Sequence, residues 1–266
     1  MRDIPSQTAA WVAWLRTLEG ARRDPVLVDD EARMFLPLPL RIAPDVGRLA
    51  RRIRGVTGLT GYIVGRHAWM DERLERFLEL PGEVLILGAG YDTRALRIGR
   101  ARYWEVDHPA TAARKRRRAP RYPAMRVDVD FQQHDLAERL RDAGFPTGAR
   151  IFVVWEGVTM YLSRAAFRQT LAHLADLCGP GSELVLDALA PPGRTVQGAL
   201  HRASTATMPL IGEPITLQLA MPAMARELDA QGWRVTEQLD AAALSARIGG
   251  RRVLPAATVH HATLRG

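Results

Sequence analysis

Beyond Pro81-Gly82 the chain settles into one texture, in which short uninterrupted apolar runs alternate with helical segments. The runs fall at residues 84–87, 103–106, 125–129, 151–155 and 184–186. Runs without polar alternation belong to strands covered on both faces, and strands separated by helices pair in parallel. The pattern therefore predicts an α/β fold with a mostly parallel, Rossmann-like sheet. One connecting helix is well marked: Ser163 as N-cap, an apolar stripe of Phe167, Leu171, Leu174 and Cys178, and Gly179 as a C-terminal stop. The tail departs from the texture. A helix near residues 224–231 precedes strands at 233–237 and 257–264, read as an antiparallel C-terminal pair at the sheet edge. Before Pro81 the chain reads as helices over residues 8–18, 29–35, 45–54 and 62–78. We expect a single domain, with residues 1–80 as a helical cap and 81–266 as the core.

A length of 266 residues buries a full core. Apolar residues at 47% and charged residues at 25% are ordinary globular values and exclude a disordered chain. The single cysteine, Cys178, excludes an intramolecular disulfide and a cysteine-rich zinc site. The net charge of +8 is carried almost wholly by arginine, since Lys115 is the only lysine. The basic run Arg114-Lys115-Arg116-Arg117-Arg118, with Arg121, reads as the exposed end of a helix, where cations suit the helix dipole. No aromatic residues interleave to stack bases, which weighs against nucleic acid as a partner. Arg48, Arg51, Arg52 and Arg54 could attract an anionic substrate. The seven histidines show no metal-ligand spacing, and His260 and His261, adjacent in a strand, point to opposite faces. No apolar run reaches the ~20 residues needed to span a bilayer, and the N-terminus does not read as a secretory signal. The expected setting is cytoplasmic, with no membrane partner.

The strongest chemical signal is the stretch from Val84 to Arg94, where an apolar strand ends in Gly88-Ala89-Gly90. Missing side chains let the backbone approach a ligand closely, and the carboxyl end of the first strand is where α/β sheets bind ligands. The third glycine of the dinucleotide fingerprint is absent, which favours a smaller nucleoside ligand over a pyrophosphate. A tight turn alone would also account for the glycines. The next strand ends in Asp107, placed either to accept ribose hydroxyls or to cap the helix that starts at Pro109. Asp135 follows the third strand and Glu156 follows the fourth. A carboxylate set among Val154, Trp155 and Val158 is costly to bury unpaired.

These residues resemble the leucine carboxyl methyltransferase family of class I S-adenosylmethionine-dependent methyltransferases. Bacterial members of that family include enzymes that O-methylate secondary metabolites. The matching stretches are Leu87-Gly-Ala-Gly-Tyr-Asp-Thr-Arg94, Glu105-Val-Asp-His-Pro109 and Glu156-Gly-Val-Thr-Met-Tyr-Leu162, with a looser match at Arg66-His-Ala-Trp-Met-Asp71. The resemblance implies S-adenosyl-L-methionine as cofactor, S-adenosyl-L-homocysteine as product, and no metal. By position it implies that Arg66 binds the methionine carboxylate and that Gly88 and Gly90 pass beneath the methionine. Asp107 would hold the ribose, Asp135 and Leu136 would flank the adenine, and Glu156 would lie beside the amine and ribose. The implied reaction is O-methylation of a carboxylate or acidic phenol on a small, polyketide-like or aromatic acceptor. An RNA-modifying enzyme and a non-catalytic cofactor-binding partner are the alternatives. The segment 190–221 carries no family motif and is expected to be a substrate lid. Tyr161 and His201 are candidate acceptor contacts.

Overall fold

The computed structural model describes residues 7–38, 54–192 and 214–266. The predicted helix at 45–54 falls almost wholly outside them. So does the central part of the expected lid, with His201.

Seven strands form one sheet: β1 (Glu83–Leu87), β2 (Tyr103–Asp107), β3 (Met125–Asp128), β4 (Ile151–Trp155), β5 (Glu183–Leu189), β6 (Trp233–Asp240) and β7 (Ala257–Leu264). Their order is β3-β2-β1-β4-β5-β7-β6. Strands β1 to β5 pair in parallel, while β7 runs antiparallel to both β5 and β6. The antiparallel pair expected at the tail is present, with β7 inserted between β5 and β6. The strand order reverses beside β1, whose neighbours are β2 and β4, and such a switch opens a crevice at the carboxyl ends.

Alternation along the buried strands divides the core into two layers. Val84, Ile86, Phe152, Val154 and Val185 face one side, against α1 (Gln7–Gly20) and α2 (Arg54–Phe77). Trp14, Leu18, Trp69, Met70, Leu74 and Phe77 of those helices complete that layer. Leu85, Leu87, Val153, Trp155 and Leu186 face the other side. There they meet α5 (Leu136–Asp142), α6 (Arg164–Leu177) and α7 (Met221–Ala230), after the short α3 (Arg94–Arg97) and the α4 helix (Pro109–Arg118). Fully burying side chains of this size contributes about 1.5–3 kcal/mol each. The last helix, α8 (Ala241–Arg247), packs on α2. Among the described residues, no helix is long and apolar enough to cross a membrane.

Two departures from the sequence reading have steric causes. Helix α2 begins before residue 62, through a glycine-rich turn that propensity disfavours. A Cβ at Gly61 would lie 1.9 Å from the Arg252 carbonyl oxygen, so the glycine lets the later chain press against the helix. Ser163 does cap α6, accepting from Ala166 N at 3.1 Å. Gly179 is not a left-handed stop; a Cβ there would meet Gly148 O at 1.9 Å, so its role is close approach.

Candidate functional site

A cavity of about 540 Å³ opens at the carboxyl ends of β1 to β4, and Thr8, Ala9, Val12 and Arg16 of α1 contribute to its wall. Trp11 is 56% exposed and Trp14 is buried in the core, so α1 reaches the cavity by its smaller side chains. Arg16 fastens the helix there, donating from Nε to Asp29 at 2.8 Å and from Nη2 to the Tyr91 carbonyl at 2.6 Å.

The floor is the glycine loop. Gly88 and Gly90 have φ of +66° and +46°, the left-handed region that glycine enters without a Cβ clash. A Cβ on Gly88 would stand 2.2 Å from Val158 Cγ2. The N–H groups of Gly88 and Ala89 both donate to Val106 O, at 2.8 and 3.0 Å, which ties the loop to the end of β2.

Asp107, half-buried at the cavity wall, accepts from Gly90 N at 2.5 Å and from His108 N at 2.7 Å. The helix cap belongs to its neighbour, for His108 Nδ1 accepts from Ala110 N at 3.3 Å. The two readings of Asp107 are thereby separated: it faces the cavity and leaves capping to His108. Burial pushes its pKa up to about 6, with the two backbone N–H groups opposing the rise.

At the end of β3 the structure selects different residues from those expected. Asp135 lies outside the cavity and caps α5, accepting from Glu138 N at 2.9 Å. Leu136 is buried in the second core layer. Asp130, Phe131 and Gln132 line the cavity instead. Asp130 accepts from Gln132 N at 2.9 Å and Gln133 Nε2 at 3.1 Å, which fixes its carboxylate. Its signal was present: it is the first acid after the apolar end of the strand, Val129, as Asp107 is after Val106.

Glu156 and Arg66 both line the cavity, inside a buried ionic network. Arg66 donates from Nε to Glu156 Oε1 at 3.0 Å and from Nη1 to Asp187 Oδ2 at 2.6 Å. Tyr62 also donates to Asp187 Oδ2, and Gly157 N donates to Asp187 Oδ1 at 2.6 Å. Arg94, wholly buried, reaches Asp71 Oδ1 at 2.6 Å, Glu156 Oε2 at 2.8 Å and Asp92. Burial alone would raise the pKa of Glu156, but His67, Arg94 and Arg66 hold it well below the usual carboxylate range. Glu156 is a permanent anion at the cavity wall. The family resemblance had pointed to Arg66, and residue type and position to Glu156; neither gave a sign that His67, Asp92 and Asp187 join them. The donor atoms of His67, Asp92 and Glu156 lie within 4.8 Å of one another, yet Arg94 already bonds both carboxylates. That arrangement suits a guanidinium better than a metal ion.

Tyr161, in the short 3-10 helix Thr159–Tyr161, lines the cavity beside Val158, Leu162, Pro214 and Thr216. The basic run of α4 is partly paired, with one cation buried. Lys115 is buried on Glu105 at 2.7 Å, Arg116 pairs with Asp128 at 2.7 Å, and Arg118 donates to Phe35 O. The expectation of an exposed helix end holds for Arg117 and Arg121 and is corrected for Lys115, which α4 turns inward onto β2.

This geometry, with a glycine turn, a carboxylate at the end of β2, an acid after β3 and a Glu–Arg pair at the switch point, is that expected of a nucleoside-binding α/β protein of the methyltransferase type. The family model for leucine carboxyl methyltransferase matches residues 9–175. The chain belongs to that family of S-adenosylmethionine-dependent methyltransferases. A relative from Parafrankia sp. (strain EAN1pec), provisionally named an S-adenosyl-L-methionine-dependent methyltransferase, is 31% identical over 196 residues. The match covers 68% of this chain and 62% of that one. A similarly named protein of Mycobacterium tuberculosis (strain ATCC 25618 / H37Rv) is 29% identical over 202 residues, covering 70% and 67%. The chain thus spans about two thirds of the length of these relatives. Among solved structures, a provisionally named methyltransferase from Thermobifida fusca YX superposes with a TM-score of 0.61 at 15% identity, covering 99% of this chain and 96% of that one. Magnesium protoporphyrin IX methyltransferase from Synechocystis PCC 6803 gives 0.52 at 14% identity, covering 84% and 95%. These likenesses establish the class I methyltransferase fold.

Proposed function

We propose that the chain is an S-adenosylmethionine-dependent O-methyltransferase acting on a small molecule whose accepting oxygen is already ionised. The observation that carries this reading is the paired placement of Asp107 and Glu156 on opposite sides of the glycine loop, both in one cavity wall. The donor set suits the cofactor's chemistry. Asp107 offers a carboxylate to two ribose hydroxyls, Asp130 accepts an adenine amine, Glu156 faces an ammonium and Arg66 a carboxylate. The glycine positions Gly88 and Gly90 keep clear the space a nucleoside needs. Bound there, S-adenosylmethionine supplies a methyl group on its sulfonium.

The chain's own part is to hold and orient. Positioning two reactants in line contributes ~7–11 kcal/mol of barrier reduction without any further group. Val12, Val158, Leu162 and Pro214 add apolar surface to the cavity wall, which would shield an acceptor from water. Tyr161 lies on that side, beside Val158 and Leu162. An acceptor carboxylate needs no base at neutral pH, which favours it over a phenol. The test is transfer of a labelled methyl group to candidate carboxylic acids and phenols. A product whose label is released as methanol by mild alkali is an ester and supports the proposal. An alkali-stable ether moves the reading to phenols, and labelling of RNA but no small molecule rejects it.

A further inference from the structure

We infer that His67 is a positioning residue, whose ring N–H holds Glu156 in the orientation that receives the amino-acid end of the cofactor. The inference rests on the proposed occupancy of the cavity and goes beyond it by assigning a role to a residue that does not line the cavity. His67 is wholly buried on α2, one residue after Arg66. Its Nδ1 lies 2.9 Å from Glu156 Oε2, and its Nε2 lies 2.9 Å from Arg97 Nη2.

A guanidinium only donates, so Nε2 accepts from Arg97. Arg94 Nη2 also lies 3.1 Å from Nδ1, but its two hydrogens have Glu156 Oε2 at 2.8 Å and the His67 carbonyl at 3.5 Å, which leaves the ring proton on Nδ1. With that tautomer, Nδ1–H donates to Glu156. The other neutral form would set an N–H against the Arg97 N–H and leave Nδ1 without a proton for the carboxylate. The groups around the ring are Asp71, Arg94, Arg97 and Glu156. Arg97 is itself held by Asp71 at 2.7 Å, so the tautomer is imposed from the side remote from the cavity. Glu156 then has Oε1 fixed by Arg66 and Oε2 fixed by His67 and Arg94. Without the His67 donor, the carboxylate is held by Arg66 and Arg94 alone, which draw it toward the guanidiniums and away from the ligand.

Asparagine and glutamine separate the two ring nitrogens. The asparagine amide falls near Nδ1 and can still donate to Glu156, while the glutamine amide reaches toward the Nε2 position. The probes are S-adenosylhomocysteine and 5′-methylthioadenosine, which share the nucleoside; only the first carries the amino acid. Calorimetry on the full chain should show His67→Gln losing about tenfold in affinity for S-adenosylhomocysteine, the scale of one hydrogen bond. Affinity for 5′-methylthioadenosine should stay within about twofold, which also reports that the variant is folded. His67→Asn should recover most of the loss.

Parallel losses for both ligands, or equal behaviour of the two variants, would overturn the inference. Glu156→Gln in the same series keeps two failures apart. If the wild-type preference for S-adenosylhomocysteine survives Glu156→Gln, the site reading falls and this inference with it. If that preference is lost in Glu156→Gln but kept in His67→Gln, the inference alone falls.

Discussion

A methyl group added at Gly88 would meet Val158 Cγ2 at 2.2 Å, in a backbone conformation that L-residues rarely adopt. Gly88→Ala should therefore cost about 1–3 kcal/mol of stability and remove measurable cofactor binding, read by denaturant melts and calorimetry. Asp107 gives a pH signature. Its pKa of about 6 stands above that of an exposed aspartate because of burial, and ribose hydroxyls donate more strongly to the ionised form. Affinity for S-adenosylhomocysteine should be level above pH 7 and fall as pH drops through 6, by up to roughly tenfold per unit. Asp107→Asn should bind weakly with a flat profile over the same range. Stability follows the opposite sign. The native state holds this proton more tightly than the unfolded chain, so the group's contribution rises as pH falls from 6 toward 3.8. Gly88, Gly90, Asp107 and Glu156 were legible as cavity residues because residue type and position at a strand end mark them together. Asp135 was misread for Asp130 because both acids lie in one short loop, and only the path of the chain decides which meets the cavity. His67 and Asp187 carried no such signal; their partners are 89 and 121 residues away in sequence.

Between residue and fold stand the elements that the ionic network joins. Arg94 sits in α3, Asp71 and Arg66 in α2, Asp187 in β5, and Glu156 follows β4. Removing Arg94 would take a guanidinium from three buried carboxylates, of which Asp71 keeps Arg97, Glu156 keeps Arg66, and Asp92 loses its ion pair. Arg94→Met should cost about 3–5 kcal/mol in chemical denaturation, the range for breaking a buried pair. A loss below about 1 kcal/mol would show that water reaches the network. The alternating runs foretold the strands well because burial on both faces leaves little sequence freedom. Helix α2 was harder to read. Its opening turns trade helix propensity for close approach to the segment after α8, a tertiary reason that local pattern does not contain.

At the scale of the whole molecule, the sheet order creates a single switch point, and the cavity is built there from four strand ends and one N-terminal helix. The charge of +8 reads differently once the structure is known. Arg16, Arg66, Arg94, Arg97 and Lys115 are committed to internal carboxylates or carbonyls. A net basic chain of this kind need not bind polyanions, and single-stranded RNA should show no steep salt-dependent association in a filter or anisotropy assay. The assignment of the acceptor was the least legible part, because the segment expected to line that side carries no recognisable motif. The central claim concerns the cofactor, and calorimetric titration of S-adenosylhomocysteine into wild type and Asp107→Ala tests it most directly. Loss of the hydroxyl bonds predicts a deficit of about 2–4 kcal/mol in a variant that melts like wild type. Equal affinity in the two proteins, both folded, would contradict the ribose role of Asp107 and with it the placement of the cofactor in this cavity.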